Sequence, residues 1–160
     1  YIAYFQRFTM HVGTEITNID FLRDGDIVIA DTAEDYTVGK AIELSNIRKN
    51  RIVAGLHTIA CRAKKSLFAQ NWLGYYINSN SFHNQLLPLI TGTKVSAIAK
   101  SVLIDTEIAI PTLPEQRAIA QVLSAADKEV ELLQKSIEQE KQKKKALMQL
   151  LLTGTVRVKI

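Results

Sequence analysis

The sequence predicts an α+β protein in which one mixed globular domain, residues 1–113, is followed by a helical region, residues 114–160. Three observations support this. Short β-branched runs bounded by turn residues indicate strands, and aromatic residues at helical spacing indicate helices. A charged segment near the end repeats apolar residues every three or four positions, as a long helix does. The length of 160 residues agrees with about one globular domain.

The predicted strands are short. Residues 27–30 follow the turn residues Gly25 and Asp26, and their apolar β-branched run is typical of a buried strand. Further strands are predicted over residues 37–44, 51–60, 102–104 and 108–110.

Two short helices are predicted in the middle of the domain. Residues 67–77 hold aromatic side chains at helical spacing, and Ser66 is the predicted N-cap. Residues 81–87 form the second helix, which Pro88 ends. The aromatic residues of the first helix are Phe68, Trp72, Tyr75 and Tyr76.

Prolines mark the start of the helical region. Pro111 precedes it, and Pro114 suits the first turn of a helix, where a missing N–H costs nothing. A short helix is predicted here, and its apolar stripe is expected to pack on the domain. The stripe consists of Ile119, Val122 and Leu123.

A second, longer helix is predicted from about residue 125 to residue 152. Ser124 and Asp127 form a shortened version of the capping box, and Gly154 suits the C-cap region. Such a helix is roughly 40 Å long at 1.5 Å per residue.

This long helix carries an apolar seam with a polar centre. A helix so charged is marginal in water without a partner, so the seam predicts pairing with another helix, antiparallel or crossed. The alternative is one amphipathic helix lying along its own domain. Glu140 and Lys144 are expected to set the register of the pair. The seam, called here the pairing seam, consists of Val130, Leu133, Ile137, Glu140, Lys144, Leu147 and Leu151.

Positive charge is concentrated in one stretch. Residues 1–39 hold two basic and seven acidic side chains, a net charge of −5. Residues 40–104 hold nine basic side chains and one acidic side chain, a net charge of +8. In residues 105–160 the positive and negative charges nearly cancel. A basic block inside a globular region is the usual footprint of a polyanion site, which indicates nucleic acid. The alternative is a solvated basic face.

Several functional classes find no support in the sequence. No apolar run approaches the ~20 residues that span a bilayer, and no signal-peptide pattern is present. Cys61 is expected to be a small buried apolar residue. The three histidines lack metal-ligand spacing, and no phosphate-binding loop or nucleophile elbow occurs.

An acidic cluster leaves a metal-dependent nuclease as a minor alternative. Such enzymes usually add a lysine in a Glu-x-Lys pattern, which is missing here. The glycine-rich turn and Asn/Asp-Pro-Pro-aromatic motif of an amino-methyltransferase are also missing. The cluster consists of Asp24, Asp26, Asp31, Glu34 and Asp35.

Residues 110–127, IPTLPEQRAIAQVLSAAD, resemble the end of a target recognition domain in the specificity (S) subunit of type I restriction-modification systems. The next helix, with LLLTGTVRV at residues 150–158, is similar to that family's spacer helix. Residues 22–30 and 37–41 resemble its early strand–turn–strand. Residues 91–93 and 108–111 resemble its closing segment.

The resemblance implies a non-catalytic protein that reads DNA. A full S subunit has two recognition domains joined by two antiparallel helices, which set the distance between two DNA half-sites. It positions methyltransferase (M) subunits, which use S-adenosylmethionine, and recruits a nuclease/translocase (R) subunit, which uses ATP and Mg. This chain itself is expected to bind no cofactor, and the expected location is the prokaryotic cytoplasm.

The chain departs from this pattern because it has one recognition domain and begins at Tyr1. A second half is expected by self-dimerisation or from a longer chain. Two alternatives remain: the specificity domain of a fused restriction-methylation enzyme, and a protein-interaction adaptor that does not bind DNA.

The basic block supplies the candidate contacts to double-stranded DNA. Lysine and arginine there are expected to contact phosphates, with some reading base edges, and the two asparagines are candidate adenine readers. The candidates are Lys40, Asn46, Arg48, Lys49, Asn50, Arg51, Arg62, Lys64, Lys65 and Lys94.

Overall fold

The computed structural model describes residues 6–9 as backbone, and residues 21–34, 37–47, 51–92 and 95–159 in full. The chain divides into two compact units, Tyr1–Gln121 (unit 1) and Val122–Ile160 (unit 2). The boundary predicted from the sequence lies at residue 113. Unit 1 therefore also includes the opening turns of the last helix.

The described elements confirm an α+β fold with a long C-terminal helix. The strands are β1 (Gln6–Thr9), β2 (Asp26–Ala30), β3 (Thr32–Ala33), β4 (Ala41–Glu43), β5 (Thr58–Arg62), β6 (Ser96–Ala97) and β7 (Glu107–Ile110). The helices are α1 (Trp72–Ile77), α2 (Asn80–Leu86), α3 (Lys100–Ile104) and α4 (Leu113–Leu152), with a short 3-10 helix at Leu87–Leu89.

A three-stranded antiparallel sheet with the order β4-β2-β5 supports the main core of unit 1. Successive side chains of a strand point to opposite faces. Ile27 and Ile29 are accordingly buried in the same cluster as Trp72 and Phe82, whereas Val28 packs against a second, smaller cluster. The predicted strand at residues 27–30 is confirmed.

The strands on either side of β2 are shorter than predicted because turns begin both of them. Gly39 has a φ of 81°, and its N–H donates to Ala30 O at 2.8 Å, so β4 begins only at Ala41. His57 has a φ of 61°, which ends the preceding loop, and β5 begins at Thr58. The predicted extents 37–44 and 51–60 are wrong for this reason.

Three of the four aromatic side chains in the predicted first helix stack on one another. The rings of Phe68 and Trp72 stack with centroids 5.9 Å apart, and those of Trp72 and Tyr76 with centroids 5.0 Å apart. The helix α1 begins at Trp72, however, and Ser66 is not its cap. Residues 66–71 lie outside the helix because Asn71, with a φ of 67°, has the left-handed conformation and does not extend the helix backwards.

The strand predicted at residues 102–104 is wrong, since these residues belong to α3. Three apolar residues are too few to distinguish a period of two from one of 3.6. In α3 only Leu103 is buried, and Ile104 is exposed.

The predicted strand at residues 108–110 is confirmed as β7, which pairs with β1 in antiparallel register. Two side chains bond to backbone groups of this strand. Gln85 exchanges two hydrogen bonds of 3.0 Å with the backbone of Glu107, and the Tyr76 hydroxyl accepts the N–H of Ala109 at 3.0 Å.

The helical region forms one continuous helix, so the predicted break near Ser124 is wrong. No proline or glycine follows Pro114 until Gly154, and the alanine-rich stretch around Ser124 favours a helix. The predicted end is confirmed: Gly154 has a φ of 72° and its N–H donates to Leu151 O at 3.2 Å. Across the described ranges, no helix is long and apolar enough to cross a bilayer.

Candidate nucleic-acid interface

Six of the ten predicted DNA contacts fall in the described part of the chain. Arg48, Lys49, Asn50 and Lys94 lie outside the described residues. The side chains of the other six, apart from that of Arg62, are exposed: Lys40, Asn46, Arg51, Lys64 and Lys65.

These six residues are divided between the two ends of the three-stranded sheet. Lys40 lies at the end of β2, where its carbonyl accepts the N–H of Ala30 at 2.9 Å. Arg62 pairs in register with Asp26, at the start of the same strand. The two ends of β2, which has five residues, lie about 13 Å apart. The basic block is therefore not one surface cluster, although it is contiguous in sequence.

Arg62 is held by an intramolecular ion pair. Its Nε and one guanidinium nitrogen each donate to Asp26 at 2.8 Å, and Asp26 is only 1% exposed. A bidentate arginine–carboxylate pair is the strongest geometry that these groups form. Arg62 is therefore anchored within unit 1. The charge of the basic block does not predict this, because Asp26 lies 36 residues away in sequence.

Arg51 and Asn46 lie on the Arg62 side of the sheet. The Arg51 guanidinium lies 5.4 Å from the centre of the Phe21 ring, and Phe21 O accepts a hydrogen bond from Arg62 at 3.4 Å. Asn46 has a φ of 57° and precedes Ile47, whose N–H donates to Asp24 at 2.9 Å. Asn46 and Arg51 are thus exposed near the same turn, residues 21–25.

A cleft of about 440 Å³ opens on this side of unit 1. Its cationic lining residues are Arg23, Arg62, Lys65 and Arg117, and it is called here the cationic cleft. Two of them, Arg23 and Arg117, are not among the contacts predicted from the sequence. Arg23 lies in a segment with a net negative charge, and Arg117 was noted only as part of the motif LPEQR. The available signals were the two segments that resemble the family, residues 22–30 and 110–127, and not the charge of the basic block.

Gln116 ties the start of α4 to the loop that carries the lysines. It is fully buried, accepts the N–H of Ala69 at 2.8 Å, and donates to Leu67 O and Pro111 O at 2.9 Å. The N–H groups of Leu67 and Phe68 in turn donate to Lys64 O. This chain of bonds fixes the loop after Lys64 against the first turns of α4.

Glu43 is the carboxylate that caps α1. It accepts the N–H of Asn71 at 2.6 Å and that of Gly74 at 3.1 Å, which satisfies donors that the start of a helix leaves unpaired. Burial raises the pKa of the Glu43 carboxyl, and these two hydrogen bonds oppose the rise. A Cβ on Gly74 would lie 2.8 Å from Glu43 Cβ, so the contact leaves no room for a larger residue.

Three residues of the acidic cluster make contacts within unit 1, whereas Asp35 lies outside the described residues. Asp26 pairs with Arg62, Asp24 accepts a backbone N–H, and Asp31 lies 3.9 Å from Nδ1 of His57. In the ranges that the structure describes, no three potential ligands are grouped to hold a metal ion. Burial, together with the charge of Asp26, raises the pKa of the Cys61 thiol to about 12, which makes this thiol a poor nucleophile at neutral pH.

The pairing seam, which lies in unit 2, is exposed among the described residues. Its five apolar members are between 42% and 58% exposed, and the only buried residues of α4, Gln116 and Ala120, belong to unit 1. In the polar centre, Glu140 accepts a bond from Lys143 at 3.5 Å. The apolar members are Val130, Leu133, Ile137, Leu147 and Leu151.

Charge is distributed unevenly along unit 2. Residues 122–140 carry five acidic and two basic side chains, whereas residues 141–160 carry six basic and no acidic ones. A helix with such polarity attracts a like helix in the antiparallel orientation and repels it in the parallel one.

Two specificity subunits of Methanocaldococcus jannaschii are similar to this chain. It is 34% identical over 140 residues to the type I restriction enzyme MjaVIII specificity subunit, covering 86% of this chain and 32% of that protein. It is 34% identical over 115 residues to the putative MjaX specificity subunit, covering 71% and 26%. The chain thus spans about a third or less of the length of these relatives.

Solved structures share the fold at lower identity. The S subunit of a type I system from M. genitalium matches with a TM-score of 0.60 at 21% identity, covering 77% of this chain and 31% of that one. The HsdS subunit from Thermoanaerobacter tengcongensis matches with a TM-score of 0.56 at 23% identity, covering 81% and 33%. Residues 9–142 match the type I restriction modification DNA specificity domain, and the chain therefore belongs to this family.

Proposed function

We propose that unit 1 recognises one half of a split sequence in double-stranded DNA. The observation that carries this proposal is the group of exposed polar and basic residues around the cationic cleft, in a chain of the specificity-domain family. Phosphate contacts from such residues supply affinity, and contacts to base edges supply specificity.

The described candidates have different roles in this proposal. Lys64, Lys65 and Arg51 contact the DNA backbone, and Asn46 is a candidate base reader. Arg62 is a positioning residue, because its guanidinium is already bonded to Asp26. Lys40, at the other end of the sheet, contacts a separate part of the duplex. Arg48, Lys49, Asn50 and Lys94 remain candidate contacts on the sequence argument alone.

The chain acts without catalysis of its own in this proposal. M subunits supply methylation with S-adenosylmethionine, and an R subunit supplies cleavage and translocation with ATP and Mg. What supports this is the family of the chain, since its relatives bear the name of specificity subunits.

Unit 2 pairs in antiparallel orientation with a second helix of the same kind. Burial of the pairing seam removes apolar surface from water, and the acidic half of each helix faces the basic half of the other. The second helix comes from another copy of the chain or from a second half in a longer protein. In both cases the paired helices fix the distance between two half-sites.

The double variant Lys64→Ala with Lys65→Ala tests the DNA contacts. It is expected to weaken binding to all duplex sequences and to reduce the salt dependence of binding, because each phosphate contact contributes about 0.9 to the slope of log K against log salt. The slope is expected to fall in magnitude by about 1.8. Fluorescence anisotropy of a labelled duplex, with the M subunit present, measures it.

A matched control is Lys128→Ala with Lys145→Ala, which removes the same charge from unit 2 outside the pairing seam. The control is expected to keep the original slope. An equal slope in the Lys64 and Lys65 variant and the unmodified chain would contradict the assignment of these lysines.

A further inference from the structure

Three cations of the cationic cleft have no counter-ion among the described residues. Arg62 is balanced by Asp26, but no ion pair joins Arg23, Lys65 or Arg117 to a carboxylate in the described ranges. All three side chains are exposed and line the same cleft, which places their charge on one accessible concave surface.

The other carboxylates that line the cleft bond to backbone N–H groups. Asp24 accepts the N–H of Ile47, and Glu43 accepts those of Asn71 and Gly74. With the Arg62–Asp26 pair balanced, the lining carries three positive and two negative charges. Because both negative charges are directed at amide hydrogens, the three cations are the groups available to an anion.

We propose that Arg23, Lys65 and Arg117 bind one phosphate group of the DNA backbone in this cleft. The proposal rests on the function proposed above and adds a contact from α4 itself. Arginine binds phosphate through parallel N–H bonds, and lysine binds it as a point charge. Arg117 lies in the second turn of α4, so this phosphate contact fixes the position of the helix start on the duplex.

The bonds of Gln116 hold this site in shape. Gln116 precedes Arg117 and fastens Leu67 and Ala69, on the loop after Lys65, to the start of α4. Lys65 and Arg117 come from segments 52 residues apart in sequence. The buried amide therefore keeps their two segments together before DNA arrives, which lowers the ordering cost of binding.

The test compares Arg117→Gln and Arg23→Gln with the unmodified chain, each with the M subunit and a labelled duplex. Each variant is expected to bind all duplex sequences more weakly by a similar factor. Each is also expected to reduce the salt slope by up to about 0.9, which is the contribution of the one phosphate that the three cations share. Arg117→Lys keeps the charge and is expected to keep the slope. Arg157→Gln, which removes an arginine from unit 2, is the control and is expected to match the unmodified chain.

The outcomes separate this proposal from the proposed function. If the unmodified chain binds duplex DNA and both glutamine variants keep its slope, the phosphate site is overturned and DNA recognition stands. If the unmodified chain and M subunit form a complex that binds no duplex, both are overturned. Fluorescence of Trp72, the single tryptophan and a buried residue of unit 1, checks that each variant is folded.

Discussion

Gln116→Ala is expected to lower the free energy of unfolding of unit 1 by about 2–4 kcal/mol. The truncation leaves three backbone groups without their partner: the N–H of Ala69 and the carbonyls of Leu67 and Pro111. A buried polar group left unpaired costs about 1–3 kcal/mol, and water entering the space offsets part of the sum. Urea denaturation followed by Trp72 fluorescence measures the change.

Gln121→Ala is the matched control for this substitution. It removes the same side chain from the same helix, at a position that is exposed. Its effect is expected to stay within about 0.5 kcal/mol. Equal stability of the Gln116 and Gln121 variants would contradict the role of Gln116 in fastening α4 to the loop after Lys65.

If two copies of the chain pair with each other, Leu133→Asp or Ile137→Asp is expected to convert the dimer into a monomer. Each substitution places a carboxylate in the pairing seam. It also removes the stabilisation that burial of the apolar side chain provides, about 1.5–3 kcal/mol per side chain. In a symmetric pair the change occurs twice, so dissociation is expected to become at least about 100-fold easier. Sedimentation equilibrium over a range of concentrations measures it.

The control for the seam is Gln139→Asp. Position 139 lies on the opposite side of the helix from Ile137, since two residues rotate by about 200°. This variant is expected to sediment as the unmodified chain does. An unmodified chain that remains monomeric at high concentration would contradict self-pairing.

Local patterns were sufficient for some elements of the fold. The apolar run at residues 27–30 identified β2, and Gly154 identified the end of α4, because a short strand and a helix C-cap depend on neighbouring residues. The α+β class followed from such local signals. The predicted break near Ser124 is wrong because the alanines around the partial capping motif favour an uninterrupted helix.

Contacts distant in sequence account for what the sequence did not reveal. The start of α1 depends on Glu43, which lies on β4, and the role of Arg62 depends on Asp26, its partner across the sheet. Arg23 and Arg117 lie 94 residues apart, and only the fold brings both to the cationic cleft. The distribution of charge along the chain identified the basic block, but it did not identify the cations that line the cationic cleft.

The central claim is that unit 1 recognises a DNA sequence. The most direct measurement is selection of duplexes from a randomised pool by the chain in complex with its M subunit, followed by sequencing of the bound fraction. The account predicts enrichment of one short motif, present as two inverted copies at a fixed spacing if two copies of the chain pair. A complex that assembles but enriches no motif would contradict it.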